Sequence, residues 1–319
     1  MNAAFLKSIV ENRFAVPPSY EVAEITPALL ENLGAVKWEL RDYSYMILSS
    51  WIWGWYVGEA SPNENRTYYS DEELLALADR AKSNIKIGLG DLESDGVFLR
   101  TYSILLLNDL TGLDRQHPYL EEAEIRDRME LYLTYLEKEQ DLRGYVSSEK
   151  GWAHGIAHVA DSLGILSRNP YLNESDLMRM LNAIATKLRQ PMASVYIHSE
   201  EERLARAAVS ICQRNLLTIE QISAWLSRSI EPDRRRPSGR FVWDDFEKHP
   251  WRKILTDPTE KLCAYRNIQN FLRAFYFQWE REETIIERQE PVREQIARAL
   301  QFIDTGFYDM SQGFFVNPC

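Results

Sequence analysis

Two histidines and an aspartate in the middle of the chain have a spacing suited to chemistry. If residues 150–167 form a helix, successive residues turn by about 100°, and His154, His158 and Asp161 fall on one face at i, i+4 and i+7. Apolar residues such as Ile156 occupy the opposite face. A stripe of small residues separates the two faces, and it predicts that Ala157 packs closely against a neighbouring helix.

This polar stripe has three possible roles. Two histidines one turn apart could share a divalent metal with Asp161, and His198, Glu201 or Glu202 could add ligands if folding brings them near. Alternatively, a hydrogen bond between His158 and Asp161 could set one imidazole tautomer in a pocket without metal.

The stripe lacks the HExxH pattern of zinc proteases, because Gly155 stands where the glutamate is needed. The third role is purely structural, and it is the favoured one. In it, Asp161 caps the helix or pairs with Arg143 or Arg168. The sequence predicts no cofactor, and it leaves open a divalent metal at the polar stripe.

A short polar segment precedes the stripe. Arg143 follows Asp141 and stands next to Gly144, so its guanidinium could bind a carboxylate or phosphate in a bidentate manner. The favoured interpretation is a self-satisfied turn, in which the aspartate pairs locally and the glycine adopts a positive φ.

Helical periodicity extends through nearly every long segment. Capping patterns mark helix starts at Ser70 with Glu73, at Ser199 with Glu202, and at Thr218 with Gln221. Further starts are predicted from single residues, namely Asp95, Pro258 after Asp257, and Pro291. The sequence predicts an all-α fold, an array of antiparallel helix pairs arranged as an α-solenoid, an α-α superhelix or a toroid. We expect one domain over residues 1–319, with a possible flexible break at residues 230–241.

Three tryptophans alternate along the helical pattern of residues 36–56. Trp51, Trp53 and Trp55 are spaced by two, so they cannot share one helix face. They could line a sugar-binding groove or anchor a protein partner, but burial between helix layers is the favoured outcome.

Composition excludes several classes of protein. The net charge of −11 disfavours nucleic acid and anionic membranes, although a local arginine cluster surrounds residues 234–240. The longest apolar run, residues 45–57, falls short of the roughly 20 residues of a membrane span. Three scattered cysteines form no metal or disulfide pattern, and no secretory signal is recognisable. We expect a soluble, cytoplasmic protein whose oligomeric state the sequence leaves open.

Four segments carry a resemblance to a known family. The longest is residues 141–161, D-L-R-G-Y-V-S-S-E-K-G-W-A-H-G-I-A-H-V-A-D, and the others are residues 97–103, 198–204 and 270–276. Together they resemble the bacterial domain-of-unknown-function family 2785. The resemblance implies a helical, bacterial, non-secreted protein, and it supplies neither an activity nor catalytic residues.

Two functions therefore remain open at the level of sequence. The first is a non-catalytic scaffold that binds a protein or small-molecule ligand in a groove between stacked helices. The second is a hydrolase, either metal-dependent or glycan-active, that uses His154, His158 and Asp161 with Arg143 or His198. The scaffold is favoured, because no nucleophile elbow, phosphate loop or dinucleotide motif is present.

Overall fold

The computed structural model describes residues 1–54, 67–230, 259–281 and 286–303. Contacts within the chain divide it into two compact units, Met1–Tyr171 and Leu172–Cys319. The expectation of a single domain stays a prediction. The break expected at residues 230–241 and the arginine cluster beside it lie outside the described residues, apart from Ile230.

The first unit contains seven of the described helices and one pair of short strands. The elements are α1 Ala3–Glu11, α2 Val22–Asn32, α3 Trp38–Trp53, α4 Asp71–Lys86, α5 Gly96–Leu113, α6 Glu122–Lys138, β1 Tyr145–Ser147, β2 Gly151–Trp152 and α7 Gly155–Leu166. The second unit contains α8 Glu174–Arg189, α9 Glu200–Cys212, α10 Ile219–Ile230, α11 Thr259–Glu280 and α12 Ile286–Ile303. The all-α fold class is confirmed. None of the helices within the described ranges is long and apolar enough to cross a membrane.

Helix α5 is the centre of the first unit. It packs against α3, α4 and α7, and its apolar side chains are buried around most of its circumference, as expected for a helix enclosed by others. Its Arg100 forms an ion pair with Glu139 at the end of α6, with Nε 2.7 Å from Oε2 and neither side chain exposed. Backbone amides of Gln140 and Asp141 also donate to Glu139, which compensates the cost of burying the charge.

The second unit has an aromatic core. Trp225 of α10 packs edge-on against Phe271 and Phe275 of α11, with ring centroids 6.2 and 5.8 Å apart. Its indole nitrogen donates to the Leu181 carbonyl of α8 at 2.7 Å, so a buried polar group is satisfied. Helix α11 also packs on α9 and α12.

The predicted helix starts had mixed outcomes. The capping box of Ser70 and Glu73 is confirmed, and so are the reciprocal bonds between Thr218 and Gln221. The other predicted box was wrong, because Ser199 adopts a left-handed φ of 67° and its side chain makes no cap bond. Instead the carboxylate of Glu200 accepts from the His198 amide at 2.9 Å.

The starts predicted from single residues also met different outcomes. Asp95 stands at the start of α5 but its side chain makes no cap bond, because it binds the Lys150 ammonium at 2.7 Å. Pro291 lies inside α12, which already begins at Ile286. As the sixth residue of this helix, Pro291 lies beyond the first turn, and its missing N–H removes one backbone hydrogen bond to the preceding turn. Pro258 lies outside the described residues.

The helix predicted over residues 150–167 begins at Gly155 instead. Tyr145 of β1 faces Trp152 of β2 in an antiparallel pair, and the amides of Ala153 and His154 donate to the carbonyls of Gly144 and Arg143. These bonds use the donors that a longer helix would need. His154 itself adopts a left-handed φ of 59° at the start of α7.

Close packing of α7 generates the first testable prediction. Ala157 is 1% exposed on a helix that packs against α5 and α6. Ala157→Leu should therefore lower the free energy of unfolding by about 1–3 kcal/mol, because a larger side chain forces strain in a filled core. Urea unfolding measures the change. Ala76→Leu, at an exposed position of α4, is the matched control and should change little; equal effects at both positions would contradict the prediction.

Candidate functional site

Five aromatic rings follow one another across the hairpin, α7 and α5. We call this row the ring strip, and in order it contains Tyr145, Trp152, His154, His158 and Tyr102. Successive ring centroids lie 5.4, 5.1, 5.6 and 6.3 Å apart. All four distances fall within the range of interacting aromatic pairs. The strip is therefore a continuous row of ring contacts built from three elements.

Exposure decreases along the ring strip. Tyr145 is 47% exposed and Trp152 is 40% exposed, whereas Tyr102 at the other end is 5% exposed. The two histidines between them are half-buried. A ligand in solvent would therefore meet the Tyr145 and Trp152 rings first.

A carboxylate lies at the inner end of the strip. The Tyr102 hydroxyl donates to Asp42 Oδ1 at 2.5 Å, and about 30% of the Asp42 side chain remains exposed. Burial raises the pKa of the Asp42 carboxyl above its usual value, although the bond from Tyr102 and the charge of Arg41 oppose this shift. Burial likewise raises the pKa of the Tyr102 hydroxyl, so the phenol stays a hydrogen-bond donor.

A second carboxylate lies farther along the same two helices. Asp109 of α5 accepts from the Tyr45 hydroxyl and from the Trp53 indole nitrogen of α3, both at 3.0 Å. Burial raises the pKa of the Asp109 carboxyl, against these hydrogen bonds. The ring of Tyr45 also packs edge-on against Tyr102, with centroids 5.9 Å apart. A polar and aromatic row therefore continues from the ring strip between α3 and α5.

Arg41 attaches the hairpin to the helices. Its guanidinium is fully buried and lies over the Phe98 and Tyr102 rings of α5, 4.1 and 4.7 Å from their centroids. It donates to the Ala35 carbonyl at 2.7 Å and to the Lys150 carbonyl in the hairpin. One side chain thus connects α3, α5 and the segment that carries Trp152.

Glycine is required at the hairpin end nearest to Arg41. Gly151 has a φ of +67°, and a Cβ atom there would lie 2.9 Å from the Cβ of Trp38. The Trp38 amide donates to the Glu149 carbonyl at 3.3 Å, which also holds the two segments together. Close approach of α3 to the hairpin therefore excludes a side chain at this position.

The structure places the predicted site residues in different local settings. The rings of His154 and His158 are neighbours, although His154 precedes the helix. Asp161 lies half-buried in α7, one turn after His158. His198 belongs to the second unit, where its Nδ1 lies 4.0 Å from Glu200 Oε1. Within the described ranges, no group of three or more His, Cys, Asp or Glu side chains is arranged to hold a metal ion. The metal site stays a prediction.

Arg143 forms the predicted local pair with Asp141, but the predicted positive φ at Gly144 was wrong, because the backbone does not adopt that conformation there. Its Nε donates to Asp141 Oδ1 at 2.9 Å and its terminal nitrogen donates to Asp141 Oδ2 at 2.5 Å. A further bond reaches the Ser94 carbonyl at 2.8 Å. These bonds raise the pKa of the Arg143 guanidinium, with the hydrogen bond to Asp141 the largest cause.

The alternating tryptophans also separate as expected. Trp51 is fully buried and its indole nitrogen donates to the Phe14 carbonyl at 2.8 Å, whereas Trp53 turns towards Asp109. Trp55 lies outside the described residues.

Sequence reasoning did not identify Arg41, Asp42 or Tyr102 as part of a site. One signal was present, because Arg41 and Asp42 place two charges within the periodic apolar pattern that predicted α3. Charges inside a buried pattern indicate a paired or functional group. Neither their partners nor the hairpin could be inferred from that signal alone.

Comparison with protein families gives one match. Residues 85–277 match the family model described as "Protein of unknown function (DUF2785)", and the chain belongs to that family. The match extends from α4 to α11 and includes the hairpin and all of α7. Searches of curated proteins and of solved structures found no match.

The second prediction separates a structural role of the two histidines from a metal site. His158 contacts the rings of Tyr102 and His154, so His158→Ala should cost roughly 1–3 kcal/mol of stability through lost ring pairs. We expect His154→Ala to be destabilising as well, and the purified wild type to contain no stoichiometric divalent metal.

Thermal unfolding and elemental analysis measure both quantities. His117→Ala is the matched control, because this histidine is 48% exposed and its pair with Asp71 lies at the surface, where such a pair contributes about 0–1 kcal/mol. Its ring contacts one other ring, that of Tyr119, instead of the two that His158 contacts. One metal ion per chain that disappears in either variant, with stability retained, would instead identify a metal centre.

Proposed function

We propose that the protein is a non-catalytic binding protein whose ring strip binds a positively charged segment of a partner protein. The observation that carries the proposal is the pair of exposed rings, Tyr145 and Trp152, attached to the helices by the buried Arg41. Exposed aromatic residues on an ordered backbone are typical of binding surfaces, because they supply large contact areas with few rotamers to immobilise.

Charge favours a cationic partner. The chain has a net charge of −11, and the partly exposed carboxylate of Asp42 ends the ring strip. The nearby cations are already engaged: Arg41 lies 3.6 Å from Asp42 Oδ1, Lys150 pairs with Asp95 at 2.7 Å and Arg143 with Asp141 at 2.5 Å. The exposed part of Asp42 is therefore the portion of this carboxylate that a partner could reach. An arginine or lysine side chain of the partner would meet ring faces and a carboxylate, a combination that supports cation–π and ionic contacts.

The hydrolase is a second candidate, supported by a different observation. Asp42, Tyr102 and His158 form a row of a carboxyl with raised pKa, a phenol and an imidazole. Such groups serve in general acid–base catalysis. Hydrolysis of an ester or glycoside by the wild type, abolished in Asp42→Asn, would favour this candidate over the binding protein.

Three further inferences about the protein accompany the proposal. We infer that the helices derive from diverged repeats, that the protein is bacterial and that it works in the cytoplasm. The first inference rests on the helical pattern, and the other two rest on the family resemblance, which implies a bacterial, non-secreted protein.

The third prediction tests the ring strip directly. An acetylated hexapeptide of alternating arginine and glycine should bind the full chain, and the same peptide with neutral citrulline in place of arginine should bind at least about tenfold more weakly. Trp152→Ala should weaken binding of the arginine peptide by a similar factor. Titration calorimetry at constant salt measures these affinities.

Tyr171→Ala is the matched control, because Tyr171 is 44% exposed in the same unit but does not belong to the ring strip. Equal affinity for the two peptides, or an affinity that Trp152→Ala leaves unchanged, would refute the proposed cationic partner.

A further inference from the structure

A cavity of about 490 Å³ lies in the second unit, between the first turn of α9 and one face of α11. The cavity is open to solvent rather than enclosed, and its volume falls within the range of about 300–1,000 Å³ that small-molecule sites occupy. Two of the four segments that resemble the family, residues 198–204 and 270–276, meet here. The polar and aromatic lining consists of Glu201, Glu202, Asn270, Arg273, Phe277 and Gln278.

Two buried acceptor atoms belong to this lining. Among the residues that the structure describes, neither Glu201 Oε2 nor Gln278 Oε1 receives a hydrogen bond. The Gln278 amide nitrogen donates to the Glu202 carbonyl at 3.0 Å, which fixes the amide. A buried acceptor without a donor costs stability, and a ligand that donates N–H groups restores the missing bonds.

The electrostatics of Glu201 favour a cationic donor. Burial raises the pKa of the Glu201 carboxyl, and the charges of Glu200 and Glu202 act in the same direction. Rotation about the last side-chain bond of a glutamate is soft, so either carboxylate oxygen can turn towards the cavity. A bound ammonium group would offset both the burial and the repulsion.

The α11 side of the cavity has a different chemistry. Arg273 contributes a guanidinium, whose planar set of five donors matches a carboxylate. Its Nη1 lies 3.5 Å from Asn270 Oδ1 on the same helix face. One turn further along, the Phe277 side chain is 64% exposed and provides an apolar surface.

We propose that this cavity binds a free α-amino acid. Glu201 and Gln278 accept from its ammonium group, Arg273 binds its carboxylate, and Phe277 contacts its side chain. The site is independent of the ring strip, because all of its residues belong to the second unit. A ligand with only one of the two charges would make its ionic contact with only one wall of the cavity.

The test uses the full chain and two sets of probes. Each of the twenty standard L-amino acids is titrated singly by calorimetry, and the tightest binder is compared with the amine that lacks its carboxylate and with the acid that lacks its ammonium group. Both truncated ligands should bind at least about tenfold more weakly, a factor equivalent to about 1.4 kcal/mol.

Two variants test which residue binds each charged group of the ligand. Glu201→Gln should weaken binding of the amino acid by about tenfold or more, and it should leave the affinity for the acid that lacks an ammonium group unchanged. Arg273→Gln should show the opposite selectivity: it should weaken binding of the amino acid and leave the affinity for the amine unchanged. Glu260→Gln, an exposed glutamate of α11 outside the cavity lining, is the matched control. Circular dichroism confirms that each variant is folded.

Three results would overturn the proposal. They are saturable binding by none of the twenty amino acids, equal affinity for the complete and truncated ligands, and affinity that Glu201→Gln and Arg273→Gln leave unchanged. Because the ring strip takes no part, failure here is distinguishable from failure of the arginine peptide to bind.

Discussion

The buried guanidinium of Arg41 is the interaction on which the candidate binding surface depends. A cation removed from water is costly unless polar groups surround it, and here backbone carbonyls, two aromatic faces and the Asp42 carboxylate 3.6 Å away do so. Among these groups are Ala35 and Lys150, which are distant in sequence. The helices of the first unit and the hairpin are therefore joined by a group that cannot be deprotonated and has no apolar equivalent.

This attachment explains why exposed rings can be ordered. Tyr145 and Trp152 lie on strands of only three and two residues, and so short a hairpin is not stable by itself. Held against α3, it continues the row of rings that begins with Tyr102 and passes through both histidines. A preorganised surface loses little conformational entropy on binding, which favours recognition of a partner.

The helices could be predicted from sequence far better than the site. Local signals such as the Ser70–Glu73 capping box act within four residues, so periodicity and capping identify them. The bond from Arg41 to Lys150 spans 109 residues, and no local pattern encodes it. The same limit explains the error at the start of α7: the pattern of residues 150–154 fits a helix, but pairing with Arg143 and Gly144 prevails.

Amide hydrogen exchange in Arg41→Met tests the central claim most directly, with Arg80→Met, an exposed arginine of α4, as the matched control. The hairpin amides of Ala153 and His154 donate at 2.8 and 2.9 Å to Gly144 and Arg143. If Arg41 holds the hairpin in place, these two amides exchange faster in Arg41→Met while those in the middle of α5 stay protected. Unchanged protection of Ala153 and His154 would contradict the account, because the hairpin would then be ordered without the guanidinium.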